Sequence, residues 1–176
     1  MALLKIIKYG NPILRMKAKP INQITPEIRQ LAEDMIQTMQ AYEGIGLAAP
    51  QVARSIKMLV VDLGLIDKTL QPKAYLNPQI LEETGSYTME EGCLSVPDVR
   101  EEVTRAEQIH VKYQTLSGEL VDTWVDGLEA RVLMHEIDHL DGIFFVDRIS
   151  PVRKELINKD LKKIARSELP KQKVAA

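Results

Sequence analysis

The chain contains a single cysteine in 176 residues, so no disulfide can form within it and a reducing compartment is expected. It has no run of about 18 or more apolar residues, which excludes a membrane-spanning helix of the usual kind. The opening MALLKIIKYGNP has a short apolar patch broken by Lys5 and Lys8, and does not read as a secretory signal. A cytoplasmic location is therefore expected. Internal repeats, low-complexity stretches and linkers are also missing. The expected layout is one domain over residues 1–167, followed by a flexible basic tail at 168–176.

The remaining composition, 45% hydrophobic and 27% charged, excludes disordered and fibrous classes. Charge is uneven along the chain. From Pro151 onward eight lysines and arginines face three acids, a balance of +5 that leaves −7 for residues 1–150 of the net −2. A solvated helix is the favoured reading of this basic segment, and no specific DNA binding is expected.

Thr25-Pro26 marks a helix start, with Thr25 as N-cap, and Ile28, Leu31, Met35 and Met39 recur at helical spacing towards Tyr42. Residues 45–51 read as a small-residue loop, 56–61 as a buried strand, and 74–83 as one or two short strands. Residues 108–114 alternate, with Ile109, Val111 and Tyr113 inward and His110 and Lys112 outward. Ser117-Gly118 turns the chain into a partner strand at 119–125. Asp126 is expected to cap a second helix, with Glu129 completing a capping box, and Gly142 to end it. Ser150-Pro151 opens a third helix to about Arg166. Strands followed by a central helix, without strand–helix alternation, argue for an α+β fold.

Histidine is scarce as well, with three in the chain, and two of them lie in His135-Glu136-Ile137-Asp138-His139. Residues four apart share one helix face, so both imidazoles can reach one metal ion. Glu136, rotated about 100° from His135, can act on a water at that metal without ligating it. Leu128 and Val132 lie within about 80° of the two histidines, and suit an apolar group beside the scissile bond. Gly142 fits an extended metallopeptidase motif, but Phe145 stands where that motif needs a third histidine. His110 reads as a surface residue. Cys93, in Glu91-Gly92-Cys93-Leu94-Ser95, sits in what reads as a polar loop. As third ligand it would leave a position open for catalysis. Gly44 and Gly46 would admit a peptide backbone, and Gln51 offers an amide donor for an oxyanion. A zinc metallopeptidase and a metal-stabilised binding module are the rival readings.

GIGLAAPQ (44–51), EGCLS (91–95) and HEIDH (135–139), in this order and spacing, resemble the three signature motifs of the peptide deformylases, and the likeness runs from Tyr9 to beyond Ser150. The resemblance implies antiparallel strands around a central HExxH helix, with an N-terminal and a C-terminal helix. It implies metal ligands Cys93, His135 and His139, general acid–base Glu136, and oxyanion donors in the Gln51 side chain and the Leu94 backbone N–H. Ile45, Gly46, Leu128 and Val132 would line a methionine pocket, with substrate running beside residues 44–46. The implied reaction removes the formyl group from the N-terminal formyl-methionine of nascent polypeptides, releasing formate. The implied cofactor is one divalent ion, Fe2+ in the cell, with Zn2+, Ni2+ or Co2+ as substitutes. Ribosome contact through the basic C-terminal helix is a further expectation. Met134 departs from the glutamine usual before the first histidine, a change expected to bear on the substrate pocket. Asp138 and Arg105 are a candidate pair that would anchor the motif helix.

Overall fold

The computed structural model describes residues 3–169. Residues 170–176 of the expected basic tail lie outside the described residues. Among the described residues there are three α-helices: α1 (Pro26–Ala41), α2 (Gly127–Leu140) and α3 (Pro151–Glu168). Five antiparallel strands form the main sheet: β1 (Gly46–Ala48), β2 (Met58–Val61), β3 (Lys73–Thr84), β6 (Gln108–Gln114) and β7 (Leu120–Asp126), in that spatial order. A separate two-stranded ribbon pairs β4 (Tyr87–Cys93) with β5 (Val96–Arg105). The architecture is the expected α+β arrangement.

Why β2 is apolar at every position follows from its placement. Its side chains alternate between two cores. Met58 and Val60 join Met35 and Met39 of α1. Leu59 and Val61 join Leu133 and Ile137 of α2, together with Ile109 and Val111 of β6. A third cluster, with Phe144, Phe145, Val99, Val103 and Leu161, closes the far side of α2. Covered on several sides, α2 is buried from Ala130 to Leu140, which is why it carries charged groups into the interior.

Helix ends follow the local chemistry in most places. Thr25 and Ser150 accept from the backbone N–H three residues on. Gly142 adopts φ +74°, and a Cβ there would lie 2.6 Å from the Arg15 carbonyl oxygen, so only glycine fits. Asp126 behaves differently from expectation: its side chain makes no capping hydrogen bond. Glu129 instead accepts from the Tyr75 hydroxyl at 2.8 Å, a bond that a buried phenol requires.

Two further expectations are corrected. Residues 74–83 belong to one twelve-residue strand, bent by irregular pairing between Leu76 and Gln79. Asn77 turns there at φ +50° and bonds both backbone groups of Ile21 at 2.8 Å. The stretch 45–51 is not a plain loop but β1 followed by the 3-10 helix Ala49–Val52. His110 is half-buried, bonded to Asp122 and stacked on Trp124 at 5.1 Å.

Candidate metal centre

His135 and His139 project from one face of α2 towards the end of β4. Cys93 closes the group, with Sγ 3.3 Å from His139 Nε2. One ligand atom from each of Cys93, His135 and His139 lies within 4.8 Å of the others. Cys93 is not in a loop, as its polar surroundings suggest, but at the last position of β4. The β4–β5 register slips there, between Gly92 and Cys93. Irregular pairing of this kind re-aims a side chain, and here the thiol meets the two imidazoles.

Behind the histidines stands a buried charged group. Glu91 accepts from His135 Nδ1 at 2.9 Å, from Arg105 at 2.6 and 3.0 Å, and from Arg131 at 2.9 Å. Burial alone would raise the Glu91 pKa, but the bonds from His135 and Arg105 outweigh it and hold the carboxyl well below the usual range. An ionised Glu91 fixes the His135 proton on Nδ1, which leaves Nε2 to the metal side. Burial pushes His139 well below the ordinary imidazole pKa, so its ring is neutral, the form a metal needs. His139 Nδ1 is buried with no hydrogen-bond partner among the described residues. A thiol, two imidazoles and an oriented second layer suit a three-ligand site with an open position.

The Arg105–Asp138 pair anticipated above is present, with Nη1 donating to Oδ2 at 2.9 Å. Asp138 is also gripped by Arg148, which sequence reasoning did not single out. Glu91 and Arg131 were missed as well. Arg131 carries no distinguishing mark in the sequence, and the one cue for Glu91 is its period-two placement with Cys93 along a strand.

Glu136 is buried beside the cleft, with Oε2 free of any hydrogen-bond partner among the described residues. Burial pushes its pKa up to about 7, with neighbouring His135 opposing and Glu91 adding to the rise. A carboxyl poised near neutrality can both take and return a proton. Gln51 is 1% exposed. Its Oε1 accepts from the Ala48 N–H at 2.8 Å, and its Nε2 donates to Ser95 Oγ at 3.1 Å with a weak 3.5 Å contact to Cys93 Sγ. The amide nitrogen is thereby aimed at the metal group.

One cleft of about 720 Å³ brings together Gly44, Ile45, Gly46, Gln51, Cys93, Leu94, Leu128, Val132, His135 and Glu136. His139 lies behind this lining, fully buried. Met134 does not line the cleft. It faces a separate cavity of about 280 Å³ with Arg105, Asp138 and Arg148, so its departure from glutamine does not alter the cleft wall.

Residues 3–155 match the family model described as polypeptide deformylase. A peptide deformylase of Mesorhizobium japonicum is 42% identical over 171 residues, covering 97% of each chain. The crystal structure of the Thermotoga maritima peptide deformylase superposes with a TM-score of 0.81 at 43% identity, over 86% of this chain and all of that one. A Met-Ala-Ser bound peptide deformylase of Acinetobacter baumannii gives 0.79 at 41% identity, over 84% of this chain and 99% of that one.

Proposed function

The chain belongs to the polypeptide deformylase family, metal-dependent hydrolases that remove the N-formyl group from nascent peptides, and from that premise we propose which of its residues perform the reaction. Cys93, His135 and His139 hold one divalent ion, Fe2+ in the cell, with Zn2+, Ni2+ or Co2+ able to replace it. The observation that carries this reading is the convergence of these three side chains beside Glu136 in one cleft. When bound, the metal supplies a Lewis acid that acidifies water and polarises the formyl carbonyl.

The protein's own groups do the rest. Glu136 takes the proton of the attacking water and returns it to the leaving amine, so that formate departs. Its burial and raised pKa support both transfers. Negative charge gathers on the formyl oxygen, and the Gln51 amide and the Leu94 backbone N–H donate to it. Ile45, Gly46, Leu128 and Val132 form the wall against which the methionine side chain packs, and Gly44 and Gly46 let the peptide backbone come close. β1 stands at the edge of the main sheet, so the peptide backbone can add beside it as a further strand.

Residues 1–167 act as a single catalytic domain working in the cytoplasm on formyl-methionyl nascent peptides, without specific DNA binding. Among the described residues no helix is long and apolar enough to cross a membrane. The basic α3 makes a transient ribosome contact. Arg153 and Lys154 are already engaged, with Glu101 and Asp147, each at 2.7 Å, so Lys159, Lys162, Lys163 and Arg166 would supply it. Formate release from formyl-Met-Ala-Ser, followed in anaerobic protein loaded with Fe2+, tests the site. Stoichiometric metal lost in Cys93→Ser is the expected result, and full metal content in that variant overturns the ligand assignment.

A further inference from the structure

The cleft accounts for one side of α2. On the other side the chain leaves α2 at Gly142 and returns through the 3-10 helix Phe145–Asp147, packed against both imidazoles. Phe144 meets the His139 ring edge-on at 5.4 Å, and Phe145 stacks on His135 at 5.9 Å. Arg148 ends this turn and reaches back to α2, donating through Nε and Nη2 to the two oxygens of Asp138 at 2.5 and 2.6 Å. Asp138 also accepts from Arg105, Arg105 donates twice to Glu91, and Glu91 holds His135.

Two routes therefore run from Arg148 to the histidines, one through packing of the turn and one through alternating charges. Along the charged route the side chains of Asp138, Arg105, Glu91 and His135 are at most 10% exposed, whereas that of Arg148 is 43% exposed. A buried chain of charges is rigid only if each end is satisfied. Here the planar guanidinium closes the outer end with a two-point bond that a single ammonium cannot reproduce. The neighbouring Asp147 fastens the same turn separately, to Arg15 and Lys154. Loss of Arg148 would thus re-aim the turn without releasing it.

We propose that Arg148 is a positioning residue of the metal centre, latching the 145–147 turn to Asp138 so that both imidazoles are held in their ligating orientation. It touches neither metal nor substrate and acts through Asp138 and the two phenylalanines. The inference rests on the reading that Cys93, His135 and His139 hold the metal.

Cobalt substitution of the full chain separates the two. Wild type, Arg148→Met, Arg148→Lys and Cys93→Ser are titrated with Co2+ against a chelator, and their visible spectra are taken at saturating metal. Arg148→Met is expected to bind Co2+ about tenfold more weakly with shifted d–d bands, and Arg148→Lys to recover only part of both. Band positions at saturation report ligand geometry, which a loss of stability alone does not move. Unchanged bands in Arg148→Met, with or without weaker binding, overturn the proposal. A wild type with no thiolate-to-cobalt band, or a band that persists in Cys93→Ser, overturns the ligand reading beneath it.

Discussion

Glu91 accepts a hydrogen bond from Nδ1 of His135 at 2.9 Å, so a carboxylate on β4 sets the tautomer of a candidate metal ligand on α2. Arg105 and Arg131 bond the same carboxylate and are themselves buried. Replacing Glu91 by Gln removes the charge but keeps an acceptor. Metal affinity is expected to fall 10- to 100-fold, as read by chelator competition. Glu91→Ala should in addition cost about 3 kcal/mol of stability, because Arg131 loses its carboxylate and Arg105 is left with Asp138 alone. Unchanged affinity in Glu91→Gln would count against the second-layer role.

Gly46 is expected to be intolerant of a methyl group for a reason specific to the chemistry. A Cβ at this position would sit 2.6 Å from Glu136 Oε1 and 2.7 Å from Val132 Cγ1. Gly46→Ala should therefore displace the Glu136 carboxylate while leaving Cys93, His135 and His139 in place. The expected outcome is full metal content with kcat lowered about 100-fold. A normal kcat would show that Glu136 need not stand where it does.

Gln51 has two duties that one pair of variants can separate. Its carbonyl oxygen satisfies the Ala48 N–H, and its amide nitrogen faces Ser95 and Cys93. Gln51→Glu keeps the acceptor and loses the donor, so kcat is expected to fall 10²- to 10³-fold with the Ala48 bond kept. Gln51→Ala should lose the same activity and a further 1–3 kcal/mol of stability from the orphaned N–H. Equal activity in wild type and Gln51→Glu would remove Gln51 from the oxyanion site.

Asp147 gives a pH signature of the turn beneath the histidines. Burial would raise its pKa, but hydrogen bonds from Arg15, Lys154 and the Phe144 N–H outweigh that and lower it to about 2. A folded pKa below the unfolded one adds stability that is complete above the unfolded value, roughly 4. That contribution fades as the pH falls through the folded value. The stability gap between wild type and Asp147→Asn, from denaturant midpoints, should be constant above pH 5 and shrink between about pH 4 and 2. A gap independent of pH over that window would contradict the assignment.

The sequence made parts of this molecule legible where side-chain type and spacing carry a single meaning. Thr25-Pro26 and Ser150-Pro151 start helices because the cap and the proline act locally. The His135–His139 spacing places two rings on one helix face whatever the surroundings. The β4–β5 ribbon escaped notice because charged residues share its buried positions with Val96, Val99 and Val103. Glu91, Glu101 and Arg105 point inward and are tolerated only by partners distant in the chain: Arg153 for Glu101, Arg131 and His135 for Glu91. Pattern reading equates inward with hydrophobic, so a ribbon built on buried ion pairs reads as exposed loop. The same blindness hid the grip of Arg148 on Asp138, which exists only once the turn after Gly142 folds back.

The measurement that bears most directly on the central claim is Glu136→Gln in protein loaded anaerobically with Fe2+, with metal content and formate release from formyl-Met-Ala-Ser measured on the same sample. With Glu136 as the group that carries the proton from water to the leaving amine, the variant should hold one metal per chain and lose at least 10²-fold in turnover. A variant that holds its metal and releases formate at the wild-type rate would contradict that role.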